Sequence, residues 1–173
     1  MSSANQPSPI GPVPSSGLNL ETNCLYIVLS ERGDFLTFHW ALYLATAPRS
    51  GIIYHLINPG GVWTYEKKIS QTLVDSRSLS LVLKIANMDP KCWGLMEQCL
   101  AAIPIQYSTR FREDITCRVW LKEAIYDLDQ SGLIHILTSV LDIEQEATSN
   151  ALTAKTRSVR LVENSKYTQG DKF

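Results

Sequence analysis

The sequence predicts an α+β fold in which an antiparallel sheet of about five strands packs against two or three helices. Three observations carry this prediction. Short apolar runs with alternating side chains fill the first half of the chain, apolar positions at three- and four-residue spacing fill the second, and the two kinds of segment stand in separate blocks. With 173 residues, 45% of them hydrophobic and 19% charged, the chain has room for one domain with a sizeable core.

The elements follow in order. Residues 1–20 are expected to form a flexible leader, because half of the 8 prolines and many serines crowd there with little apolar surface to offset the entropy of ordering. The domain proper is expected over 21–155. Cys24-Leu-Tyr-Ile-Val-Leu reads as a buried strand ended by the turn residues Ser30 to Asp34. In the next strand Phe38, Trp40, Leu42 and Leu44 share one face and His39, Ala41 and Tyr43 the other. After a turn near Pro48 and Arg49, residues 52–57 return as the second arm of a hairpin, stopped at Pro59-Gly60-Gly61. Val62 to Tyr65 offers a short fourth strand and Leu79 to Ala86 an interior fifth.

Helices come next. Asp89-Pro90 is a helix start, with Trp93, Met96, Leu100 and Ile103 as the packing stripe and Pro104 as the stop. Asp114 or Thr116 caps the second helix, which carries Val119, Ala124, Ile125 and Leu128 inward and ends at Ser131-Gly132. A third, weakly amphipathic helix is expected from about Ser139 to Lys155, followed by a polar tail over 156–173 with at most one stray strand.

Charge and cysteines exclude several function classes. Lys and Arg number 16 against 17 Asp and Glu, a formal charge of -1, so no general attraction to nucleic acid is available. No run approaches the ~20 apolar residues of an integral membrane span. Four cysteines without a C-x-x-C pair, and a start without a basic-then-apolar signal, favour a reduced cytoplasmic setting. The oligomeric state is not readable.

Chemistry is expected at Cys117, in the opening turn of the second helix, where free backbone N–H groups and the helix dipole stabilise a thiolate and a developing oxyanion. A nucleophile of this kind needs an imidazole as proton shuttle, and His39 and His55 are the candidates within the sheet. A zinc site from His39, His55, Cys117 and Cys24 has permissible ligand types but is the lesser reading, so no metal or cofactor is expected. Asn58-Pro59-Gly60-Gly61 is read as a turn, not a phosphate cradle.

The segments FHWALYL, YHLIN and TCRVWLKEAI resemble, in order, the His-Trp-Ala strand, the next His-Leu strand and the Cys-led helix of the lecithin:retinol acyltransferase-like proteins, permuted relatives of NlpC-type cysteine peptidases. The resemblance implies a papain-like permuted NlpC architecture, with Cys117 as nucleophile, His39 as proton shuttle and His55 as its orienting partner. Instead of that family's Asn-Cys-Glu-His-like helix start, this chain has Thr116-Cys117-Arg118-Val119. The layout is also similar to an uncharacterised family of fungal proteins with an aromatic-His-Trp-Ala-Leu strand, a Tyr-His-x-x-Asn strand, a Trp-x-x-Glu-like segment (here Trp63 to Glu66) and a Cys-x-x-Trp-x-x-x-Ala helix. Arg118, Tyr43 and Asn58 are the candidate substrate-binding residues. The expected function is a cysteine-dependent hydrolase or acyltransferase acting on an amide, ester or thioester of a small-molecule or peptide-like substrate. The alternatives are a non-catalytic binding module of the same fold or an accessory protein of fungal natural-product biosynthesis.

Overall fold

A computed structural model of the chain describes residues 18–34 and 36–169. It is α+β, with a six-stranded mixed sheet and three helices. The strands are β1 (Cys24–Glu31), β2 (Phe38–Ala47), β3 (Ser50–Ile57), β4 (Thr64–Ser70), β5 (Leu79–Asn87) and β6 (Leu161–Asn164), and their order across the sheet is β4-β3-β2-β1-β5-β6. The helices are α1 (Trp93–Ala101), α2 (Cys117–Gln130) and α3 (Val140–Thr156).

β1 and β2 pair antiparallel without interruption from Cys24 opposite Ala45 to Glu31 opposite Phe38. β2 and β3 form the expected hairpin around Pro48 and Arg49, and β3 pairs β4 along its length. Glycine is required at position 51, because a Cβ there would stand 2.2 Å from the Leu44 carbonyl oxygen and 2.6 Å from Cζ of Tyr43. Two expectations change at the edges. β4 runs to Ser70, well past Tyr65, as an exposed strand whose Ile69 is 74% accessible. β6 lies parallel to β5, so the sheet is mixed.

Both termini of the described region are held. The first 17 residues of the expected leader lie outside the described residues. Leu20, within the same 1–20 span, is 4% exposed, and its N–H donates to the Pro48 carbonyl at 2.8 Å. The expected polar tail supplies β6, and beyond it Ser165 and Thr168 are buried, with Thr168 bridging to Ile136. The one stray strand allowed for in this tail is therefore β6, which lies at the sheet edge, where backbone partners matter more than apolar side chains.

The helix starts match their physical signals. Asp89 accepts from the Lys91 N–H at 2.9 Å ahead of α1. Thr116 caps α2 by accepting from the Val119 N–H at 3.2 Å, and Ser139 with Asp142 forms a capping box on α3. Gly132, at φ 70°, takes the left-handed turn after α2.

The helices cover one face of the sheet, α2 lying over β2 and β3 and α3 over β5. The main core on that face joins Leu25, Ile27 and Leu29 of β1 and Phe38, Trp40, Leu42 and Leu44 of β2 to Cys117, Trp120 and Leu121 of α2. A smaller cluster of Tyr26, Val28, Ala41, Tyr43, Val74 and Val82 lies on the opposite face, where Leu18 and Leu20 pack against it. Among the described residues no helix is long and apolar enough to cross a membrane.

Candidate functional site

Three polar side chains from neighbouring strands meet on the face away from the helices. Strand alternation sends Trp40 toward α2 and His39 the opposite way, and the same parity takes Tyr54 and Leu56 inward and His55 outward. Glu66 is the direct cross-strand partner of His55, while its neighbour Tyr65 turns inward to stack on Trp120 at 5.6 Å. The result is a chain across β2, β3 and β4. Nε2 of His39 lies 2.7 Å from Nδ1 of His55, and Nε2 of His55 lies 2.8 Å from Oε1 of Glu66.

Hydrogen-bond logic orders the protons along this chain. The Glu66 carboxylate can only accept, so His55 presents Nε2–H to it. In the neutral pair His55 Nδ1 is then bare and accepts from His39 Nε2–H, which leaves Nδ1 of His39 with a free lone pair. No described residue hydrogen-bonds that nitrogen. Burial pushes the His39 pKa down to about 4, helped by His55 and Arg32 and opposed by Glu66, so the ring is neutral near pH 7. The His55 side chain is 12% exposed and that of Glu66 36%, so the relay runs from a half-buried ring to a solvent-touching carboxylate.

Cys117 is elsewhere. It is the first residue of α2, as expected, but is 2% exposed and packed among the core residues of the helix-covered face. The sheet itself therefore stands between Cys117 and the ring of His39. The structure brings His39 and His55 together and does not bring Cys117 to them. Cys24 lies on the histidine face but at the other end of β1, its Sγ 3.0 Å from Oδ1 of Asn87. The four residues weighed as a zinc set are thus not gathered, and no group of three or more His, Cys, Asp or Glu among the described residues is placed to hold a metal ion.

The proposed substrate-binding residues separate as well. Both terminal nitrogens of Arg118 are engaged, by Glu113 and Glu144, in a cluster completed by the buried Lys122 at 3.1 Å from Glu144. Arg118 is therefore a brace between α2, α3 and the 108–115 loop. Tyr43 shares the histidine face but is 1% exposed, its ring lying over Gly51, and burial pushes its pKa up to about 12. Asn58 is exposed beside the turn Pro59–Gly61.

Residues 25–135 match a family model whose description reads "Family of unknown function (DUF6540)". The chain belongs to that family. The DUF6540 span holds β1 to β5, α1 and α2, and with them His39, His55, Glu66 and Cys117. No curated protein and no solved structure matches the chain.

Glu66 is the site residue that sequence reasoning left without a role. Its signal was present: it closes the Trp63-to-Glu66 pattern, the only carboxylate between His55 and Asp75. What hid it was the length assigned to β4, since ending that strand at Tyr65 leaves Glu66 in a loop with no fixed partner.

Proposed function

We propose that this DUF6540 protein is a hydrolase or acyltransferase for an ester, thioester or amide in which His39, held by His55 and Glu66, is the general base. The carboxylate–imidazole–imidazole chain, with links of 2.8 and 2.7 Å, is the observation that carries this reading. A lone strand histidine is usually structural, but one that is neutral, aligned by a second ring and left with an unengaged nitrogen has the properties of a base. The permuted NlpC-like plan implied by the strand motifs belongs to this proposal for its two histidines. Cys117 does not, because a sulfur sealed on the other side of the sheet cannot pass its proton to His39. The substrate is a small molecule or peptide-like compound, handled in a reducing cytoplasm that suits four free cysteines.

A panel of p-nitrophenyl esters, acyl thioesters and anilides tests the reading. Activity found in the wild type is expected to fall about 10²–10⁴-fold in His39→Gln, the range that general-base catalysis contributes. Retention of full activity in His39→Gln overturns the proposal. Ligand-induced thermal shifts without turnover of any panel member would favour a binding module of the same fold.

A further inference from the structure

The unengaged nitrogen of His39 directs attention to what stands beside it on the neighbouring strand. We propose that Ser30 is the nucleophile His39 serves, so that the protein forms an acyl-serine from an ester or amide carbonyl; this rests on His39 being the base.

Ser30 is the direct partner of His39 in the β1–β2 register. Such pairs project to the same face with Cβ atoms about 4.5–5.5 Å apart. The geometry of the ring matters here. Nε2, the far nitrogen, is occupied by His55, whereas Nδ1 lies next to the root of the side chain, where a short neighbour such as serine can reach it and a long one would overshoot. Ser30 is half-buried, and its hydroxyl has no hydrogen-bond partner among the described residues. It also sits at an irregularity: the β1–β5 register shifts between Leu29 and Ser30. The residue left over is Ser80 on β5, so the irregularity loosens the β5 side of Ser30 while its pairing with His39 on the β2 side stays in register. Two residues on, Arg32 is exposed, acts electrostatically on His39 and forms no ion pair among the described residues. No hydrogen bond joins Ser30 to His39 in the resting structure, a slackness common before substrate binds.

Oγ of Ser30 forms a bond to the carbonyl carbon while its proton moves to Nδ1 of His39, and the π electrons of the C=O pass to the oxygen, for which Arg32, two residues along the chain, is the nearby cation in sequence. Collapse re-forms the carbonyl and breaks the bond to the leaving group, which takes the proton from His39. Water then adds to the acyl-serine, giving a proton to His39. That proton returns to Oγ as the acid departs, so the net change is addition of one water across the ester or amide bond.

A fluorophosphonate probe on the full chain, read by intact mass and by fragmentation of the labelled peptide, tests the assignment. The expected result is one adduct, on Ser30, lost in Ser30→Ala and slowed about 10²-fold or more in His39→Gln. Ser30→Cys is expected to lose the phosphonate adduct and to gain alkylation by iodoacetamide at position 30, slowed by His39→Gln. Labelling that persists in Ser30→Ala but disappears in His39→Gln overturns the serine and leaves His39 as base. Labelling indifferent to both substitutions overturns both. A wild type that takes no adduct while hydrolysing panel esters through His39 also overturns the serine.

Discussion

On the helix-covered face of the sheet, Trp40, Leu42, Tyr54 and Leu56 meet α1 and α2, and even the polar atom of Tyr54 is absorbed by Glu97 at 2.7 Å. On the opposite face the same strands carry apolar residues only at one end, and at the other end His39, His55 and Glu66 join in a polar chain. The same backbone thus serves two purposes by parity. Where helices supply partners, side chains are chosen for volume. Where they do not, the strands can hold titratable groups in register at about 5 Å intervals, the natural spacing of a sheet. Rigidity on one face holds titratable groups in register on the other, and substitutions on each face probe the two separately.

The largest expected effect lies on the packed face. Trp120 is fully buried between Tyr65 and the core, and Trp120→Ala removes it without a replacement. A loss of about 3–5 kcal/mol is expected from urea denaturation, as for other buried tryptophans. A loss below about 1 kcal/mol, the level of surface substitutions, would mean that this face is not the one that holds the fold.

A middle-sized effect is expected at Glu66. Glu66→Gln keeps an oxygen that can accept from His55 but removes the negative charge that raises the His39 pKa. His39 should then titrate below its already lowered value of about 4, visible in the NMR shifts of its ring carbons, and turnover should drop in the same direction, by less than in His39→Gln. An unchanged titration would break the relay into unrelated contacts.

The pH dependence of stability follows from the same ring. The folded His39 pKa of about 4 lies below the usual 6.5, so between these values the unfolded chain binds more protons. Stability contributed by the neutral ring is present above pH 6.5 and lost as pH falls toward 4. Urea midpoints should therefore decline across this window in the wild type and decline less in His39→Gln.

How much of this was legible in the sequence can be argued from β2 itself. The parity of FHWALYL gave both faces correctly, and of the two caps the sequence offered, Asp114 and Thr116, it is Thr116 that caps α2, with Cys117 in the first turn. What the letters do not show is the side on which the helix packs. β2 is central and buried on both faces, Tyr43 and Ala45 as much as Leu42 and Leu44, and a strand of this kind reads as continuously apolar. Yet Trp40 and Leu42 form the bulkier face and so the better seat for a helix, and that choice by itself turns His39 away from Cys117. β4 and β6 were harder to see, because edge strands such as Thr64–Ser70, with Lys67 and Lys68, are stabilised by backbone pairing that side-chain patterns do not record.

The smallest effect is the sharpest test of the two-face comparison. Cys117→Ala deletes one sulfur from a packed site, and the expected loss is about 1 kcal/mol of stability, near that of removing a single buried heavy atom. Hydrolytic activity should stay within about two-fold of wild type, since no proton path crosses the sheet from Cys117 to His39. A combined loss of activity with an intact fold would put the thiol in the chemistry. It would require α2 to leave the face it shares with Trp40 and Trp120, and that movement would expose Trp120 and change its fluorescence during turnover. Constant tryptophan emission together with unchanged turnover would confine Cys117 to packing and the chemistry to the histidine face.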